Sequence, residues 1–280
     1  MKSNIKCLPI LALLFLSAFP GLASARSFEN LSGSPGLRSA SAIVMDESGK
    51  VIYGKDAGTV RPIASITKLM TAIVILDSGL DLDEKIEVTR DDRDLIKLTG
   101  SRLQYGARLS RREMLKLAVM ASENRAAAAL GRTYPGGTSA MVQQMNIRAV
   151  EIGMTNTRFA DPVGLNAENV STAKDLATLV AKARTYPLIV EASTTTRLTV
   201  HPWKDRGPLV YGNTNRLLKN QTWDIRVSKT GYINEAGRCL VMQAIIDGVI
   251  LNIVFLDSFG KLTPFGDSNR LRRWLLGSNP

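Results

Sequence analysis

Histidine and cysteine are nearly absent from this 280-residue chain: His201 is the only histidine, and Cys7 and Cys239 are the only cysteines. A Ser-His-Asp triad would have to use His201, which stands beside Pro202 and Trp203 in a stretch with no nucleophile-elbow pattern. One histidine and one or two thiols cannot assemble a zinc peptidase site, so no metal is expected. Long apolar runs are also missing. The longest near the start, Leu8 to Phe19, falls short of the ~20 residues that a spanning helix needs. Lys2 and Lys6 precede it and Ala23-Ser24-Ala25 follow it, so residues 1–25 read as a removed secretory signal, with a retained anchor as the competing reading. Cys7 leaves with that segment. Cys239 then has no partner for a disulfide, and within Cys239-Leu240-Val241-Met242 it reads as a buried, inert thiol. Acids are outnumbered, 25 against 36 Lys and Arg, for a net charge of +11 that becomes +9 once Lys2 and Lys6 are gone. No Lys/Arg run exceeds two residues, so nucleic acid is not expected. Loose attraction to an anionic wall or membrane surface is the alternative to a charge that only aids solubility.

There is no internal repeat and no low-complexity tract. Ser41 to Asp46 and Val51 to Lys55 form a hairpin pattern around Glu47-Ser48-Gly49-Lys50. Pro62 to Ser78 carries apolar residues at helical spacing, with Gly79 as a stop. Helices are expected at Arg111 to Ala121, Arg125 to Gly131, Ser139 to Ile152 and Thr172 to Arg184. The last of these has a cap at Ser171 or Thr172 and a capping box completed by Asp175. Beyond Pro187 the pattern turns to strands, at Ile225 to Val227, Arg238 to Ile246 and Val249 to Leu256, the last two joined by Asp247-Gly248 as a type I′ turn. A helix from Asp267 to Leu276 closes the chain. The order predicts an α/β (α+β) fold in which two distant β segments share one antiparallel sheet flanked by helices. Residues 26–280 form a single domain, and an all-helical lobe at about 90–190 is inserted across a cleft.

Three short motifs stand in order along this frame: Ser65-Ile66-Thr67-Lys68, Ser122-Glu123-Asn124 and Lys229-Thr230-Gly231. Each alone is weak, since Ser65 could be only a helix cap, Lys68 a snorkelling lysine, Ser122 to Asn124 a helix break and Lys229 to Gly231 a strand end. Jointly, at a buried helix start, between helices and at a strand end, they specify serine acyl transfer. A serine needs a base, and Lys68, one helical turn from Ser65, supplies it if its pKa falls. Burial and repulsion from a second cation such as Lys229 would both lower it. Lys229 beside Thr230 can also grip a substrate carboxylate. Gly231 permits close approach of an extended peptide to a strand edge. Ser122 would relay a proton to the leaving amine. Asn124 would fix Lys68 and a substrate amide, and residue 123 would point away.

With these residues, and with Pro62 to Thr71, Phe159-Ala160-Asp161-Pro162-Val163-Gly164-Leu165, Ser171-Thr172-Ala173, Asn213-Thr214-Asn215 and Tyr232, the chain resembles the low-molecular-mass penicillin-binding proteins, D-alanyl-D-alanine carboxypeptidases and endopeptidases, over about Arg38 to Leu276. Glu123 stands where an Asp is usual. The resemblance implies a β-lactamase/transpeptidase-like fold, a periplasmic setting after cleavage near Ala25, and no cofactor. It implies Ser65 as acylated nucleophile, Lys68 as base, Ser122 as relay, and Asn124, Lys229, Thr230, Gly231 and Tyr232 as substrate-binding positions, with the N–H groups of Ser65 and Tyr232 as oxyanion donors. Partners would be peptidoglycan peptide stems and β-lactams held covalently at Ser65. The chain ends soon after Leu276, so the extra β domain and membrane helix of some carboxypeptidases are not expected. Gly237-Arg238-Cys239-Leu240-Val241-Met242 favours the compact endopeptidase type. A DD-carboxypeptidase, a β-lactamase using Asp161 or Glu168 as deacylating base, and a non-catalytic wall-binding protein stay open as alternatives.

Overall fold

The computed structural model describes residue 28 and residues 31–277; the expected signal, residues 1–25, lies outside them. Strands β1 (Ser41–Asp46) and β2 (Val51–Lys55) make the expected first hairpin, and β3 (Arg61–Pro62) leads through a 3-10 turn, Ala64–Thr67, into α1 (Lys68–Asp77). Two short strands, β4 (Lys85–Glu87) and β5 (Arg108–Ser110), pair at the entry to a helical block of α2 (Arg111–Met120), α3 (Asn124–Arg132) and α4 (Gly137–Glu151). Ser110 starts α2 with a capping box to Glu113, which meets two of the free N–H groups at the helix start. β6 (Val170–Ser171) pairs with β3 and precedes α5 (Ala173–Ala183) and α6 (Pro187–Thr194). A small hairpin, β7 (Arg197–Val200) and β8 (Leu209–Gly212), and a 3-10 turn at Arg216–Lys219 lead to β9 (Asp224–Ile233), β10 (Gly237–Ile246), β11 (Val249–Ser258) and α7 (Thr263–Leu275).

The two β segments do share one sheet. It is antiparallel throughout, in the order β2-β1-β11-β10-β9, with β1 against β11. Alternation along the central strands feeds two cores. Leu240, Met242, Ala244, Ile253 and Phe255 face α7 and its Trp274, whereas Val241, Val254 and Leu256 face the layer of α1 and α5. Asp247 and Gly248, both at positive φ, make the tight turn between β10 and β11 that the Asp-Gly pair predicts. The sheet has β2 at one edge and β9 at the other.

Three local expectations are corrected. Pro187 opens a helix instead of ending the helical region. It sits in the first turn of α6, where its missing N–H costs nothing, and Ile189, Ala192 and Ser193 bury at helical spacing despite the strand-like Leu-Ile-Val run. β9 is ten residues long, so Lys229-Thr230-Gly231 lies inside a strand and not at its end; backbone pairing with β10 is indifferent to the polar side chains that mask it in the sequence. The capping box on α5 is half formed. Thr172 accepts the Asp175 N–H at 3.0 Å, but the Asp175 carboxylate instead takes the Asn156 N–H and the Thr157 hydroxyl, both at 2.8 Å.

Candidate active site

Ser65 lies within the 3-10 turn ahead of α1 and caps nothing. The backbone before it is strained, with Ala64 at φ +48°, a conformation that non-glycine residues hold only when the surroundings impose it. Two glycines impose it by proximity. A Cβ on Gly164, itself at φ +82°, would lie 2.1 Å from the Ala64 carbonyl oxygen, and one on Gly231 would lie 2.9 Å from the Ile63 oxygen and 3.2 Å from the Ser65 nitrogen. The Ser65 turn is thus clamped between the loop after Pro162 and the edge strand β9, and neither clamp tolerates a side chain.

Lys68 is fully buried and its Nζ has three neighbours: Ser65 Oγ at 2.8 Å, Asn124 Oδ1 at 2.9 Å and the Val163 carbonyl at 2.7 Å. Burial drops its pKa from 10.5 to about 7, against the opposing pull of Asp161, Glu123 and Asp94. Of the two expected causes, desolvation by burial is the main one for Lys68, and the repulsion between the two ammonium groups bears on Lys229. Lys229, also buried, is held well below its usual value, first by burial and then by repulsion from Lys68. A neutral amine has two N–H groups and one lone pair. Two of the three neighbours of Lys68 are carbonyl oxygens that can only accept, and the third is a hydroxyl that can donate. The lone pair of neutral Lys68 therefore has one partner available, the proton on Ser65.

The second motif faces this group across the cleft. Ser122, at φ +57°, is a second strained non-glycine residue, and its Oγ accepts a hydrogen bond from Lys229 Nζ at 2.9 Å. Asn124 begins α3, and while its oxygen takes the Lys68 N–H its Nδ2 donates to Thr99 Oγ1 at 2.9 Å. Glu123 lies outside the cavity, as expected, yet it is no idle acid. Buried, it caps α3 at the Arg125 N–H (3.3 Å) and accepts from the Ser101 hydroxyl. The third motif runs along β9. Lys229 Nζ also reaches the Thr230 carbonyl at 2.8 Å, Thr230 Oγ1 is 2.7 Å from Thr214 Oγ1, and Tyr232 is exposed. Ser65, Ser122, Asn124, Thr230, Gly231 and Tyr232 line one open cavity of about 920 Å³, with Lys68 and Lys229 buried just beneath.

Sequence reasoning missed the supports. Asp94 gathers the N–H groups of Ile96, Lys97 and Thr99 and the Thr99 hydroxyl, and so holds the Thr99 that orients Asn124. Asp161 takes the N–H groups of Val163, Gly164 and Asn166 and the Asn169 amide, aiming the Val163 carbonyl at Lys68. An Asp-Pro-x-Gly string is a legible turn signal; the Asp94 loop carries none so clear. With both oxygens engaged, Asp161 is not free to act as a base, and Glu168 is paired with Arg158 at an exposed site. His201 is exposed and outside the cavity. Cys239 is buried, its thiol pushed up to about 12 by desolvation. Among the described residues, no three His, Cys, Asp or Glu come together as a metal site and no helix is long and apolar enough to cross a membrane.

Comparison with known proteins identifies the family. Residues 29–260 match the family described as D-alanyl-D-alanine carboxypeptidase. A D-alanyl-D-alanine endopeptidase of Pseudomonas aeruginosa is 48% identical over 269 residues, 95% of this chain and 87% of that protein. One of Escherichia coli K12 is 44% identical, over 95% of this chain and 86% of its own. Among solved structures, the Streptomyces K15 DD-transpeptidase superposes with a TM-score of 0.80 at 27% identity, over 88% of this chain and all of that one.

Proposed function

From its place in the D-alanyl-D-alanine carboxypeptidase family, to which this chain belongs as a serine-type D-Ala-D-Ala peptidase, we propose that it cleaves the peptide crosslinks of peptidoglycan as an endopeptidase, with Ser65 as nucleophile. The observation that carries the catalytic assignment is the buried Lys68 amine, with two carbonyl acceptors and one hydroxyl around it. Its neutral form is available near pH 7, which is what a general base requires. Ser65 Oγ passes its proton to Lys68 Nζ and attacks the D-alanyl carbonyl carbon. The N–H groups of Ser65 and Tyr232 receive the oxyanion, each contributing on the order of 3 kcal/mol to the transition state. As the C–N bond breaks, the leaving amine takes a proton through Ser122, which Lys229 hydrogen-bonds. Water then attacks the ester, releasing the acid and returning the proton to Ser65. Thr230 and Lys229 hold the carboxylate of the amine-side residue, Asn124 holds a substrate amide, and Gly231 lets the peptide lie along β9.

A β-lactam is opened by the same attack, but its amine stays tethered, so the acyl-enzyme persists. Export by removal of residues 1–25 would place the enzyme in the periplasm, with its basic surface in loose contact with wall or membrane. The test is mass spectrometry of residues 26–280 with penicillin, alongside Ser65→Ala, followed by digestion of crosslinked muropeptide dimers. A Ser65-dependent adduct with release of monomers supports the endopeptidase. An adduct with release of terminal D-alanine alone gives the carboxypeptidase instead, and no adduct refutes acyl transfer at Ser65.

A further inference from the structure

The cavity that contains Ser65 extends past Thr230 over the face of β9 that carries Tyr232, between the 3-10 turn 216–219 and the start of α7. Its lining is one-sided in charge. Five side chains are Lys or Arg and none is Asp or Glu. Lys97 is neutralised by Glu235 at 2.5 Å. The other four, Arg216, Lys219, Arg238 and Lys261, have no carboxylate partner among the described residues. Arg238 lies over the Tyr232 ring at 3.5 Å, and Arg216, Lys219 and Lys261 are exposed. Cations converging on one cavity repel one another, and the arrangement gains only when an anion enters.

Position says which anion. The turn that carries Arg216 and Lys219 follows Thr214, whose hydroxyl is 2.7 Å from that of Thr230. On the reading above, Thr230 holds the carboxylate of the amine-side residue, so whatever else is attached to that residue continues into this trough. A terminal D-alanine has nothing more to place there. The amine side of a crosslink has a whole second stem peptide, rich in free carboxylates. We infer that the trough bounded by Arg216 and Lys219 on one wall and Lys261 and Phe265 on the other binds the carboxylates of the amine-side stem, selecting crosslinked over terminal substrates. This rests on the endopeptidase reading, and its test is separable from it.

The experiment compares the wild type with Lys219→Glu/Lys261→Glu on three substrates: penicillin, crosslinked muropeptide dimers, and the same dimers amidated at the amine-side carboxylates beyond the one that Thr230 and Lys229 hold. Charge reversal on two walls should lower kcat/KM for the free dimer about tenfold, mainly through KM, and leave the penicillin acylation rate unchanged. Amidation should slow the wild type by a similar factor and the variant no further. Dimer cleavage unaffected by the reversal, or a loss that is equally large on amidated dimers, overturns the inference. Should the double variant fail to acylate, as a misfolded protein would, the wild type on free and amidated dimers decides alone, and equal rates overturn the inference. A wild type that forms no adduct at Ser65 refutes the proposed function instead.

Discussion

Replacing the buried Lys68 by Met should abolish acylation and yet raise the melting temperature. Each tenfold in a protonation equilibrium is about 1.4 kcal/mol, so the gap between 10.5 and about 7 corresponds to on the order of 5 kcal/mol of stability forgone when the lysine is protonated in the unfolded chain. Methionine has similar length and no charge to desolvate. Against that gain stand the Asn124 and Val163 oxygens, which lose their N–H partner at about 1 kcal/mol or more each. A net of about 2 kcal/mol at neutral pH remains, or roughly 5 °C for a domain of this size. The sign with pH follows. The folded pKa lies below the unfolded one, so the penalty is fully present below about pH 7 and vanishes as pH rises toward 10.5. Taking the difference between variant and wild type cancels most of the contribution of Lys229. Thermal melts from pH 6 to pH 10 should therefore show the Met variant above the wild type at the acid end, crossing it as the penalty fades, and below it at the alkaline end, where only the lost hydrogen bonds remain. A variant that melts at or below the wild type throughout, or a difference that does not fall with pH, would refute the claim that burial is what depresses Lys68.

Three further outcomes follow from the same geometry. Penicillin acylation should rise as pH passes through about 7, and Asp161→Asn, which removes a charge that pulls the Lys68 pKa up, should move that rise to lower pH while costing about 2 kcal/mol of stability; a rise that stays put or moves up in stopped-flow acylation contradicts the electrostatic assignment. Gly231→Ala puts a methyl 2.9 Å from the Ile63 oxygen and should slow acylation about a hundredfold by displacing the Ser65 turn, so wild-type rates in the variant would mean that the clamp is soft. Cys239, buried with its thiol raised to about 12, should resist maleimide in the native protein and react after unfolding, and fast native labelling would show that the β9–β10 edge opens.

Much of the molecule was legible in the chain itself. Apolar runs mark β10 and β11, the Asp-Gly pair marks their turn, helical spacing marks α2, and spacing with a cap marks α5, because these signals are local and depend on short-range sterics and hydrogen bonds. The three motifs were legible for the same reason, as short strings whose chemistry is carried by residue type. Other features are not local. Pro187 could be read as a stop or a start, and only packing of Ile189 and Ala192 against the core makes α6 a helix. The polar Ser-Lys-Thr-Gly run hid most of β9, because strand pairing is a backbone matter settled by β10. The depressed Lys68 could be expected, with burial as a cause, but its size could not, since a pKa depends on everything packed within a few ångströms. Here that means segments around residues 94, 123, 161 and 163, brought together from across the chain. The sequence determined which groups could do the chemistry; burial and distance, set by long-range packing, decided that the Lys68 amine lies 2.8 Å from the Ser65 hydroxyl and the Lys229 amine 2.9 Å from that of Ser122.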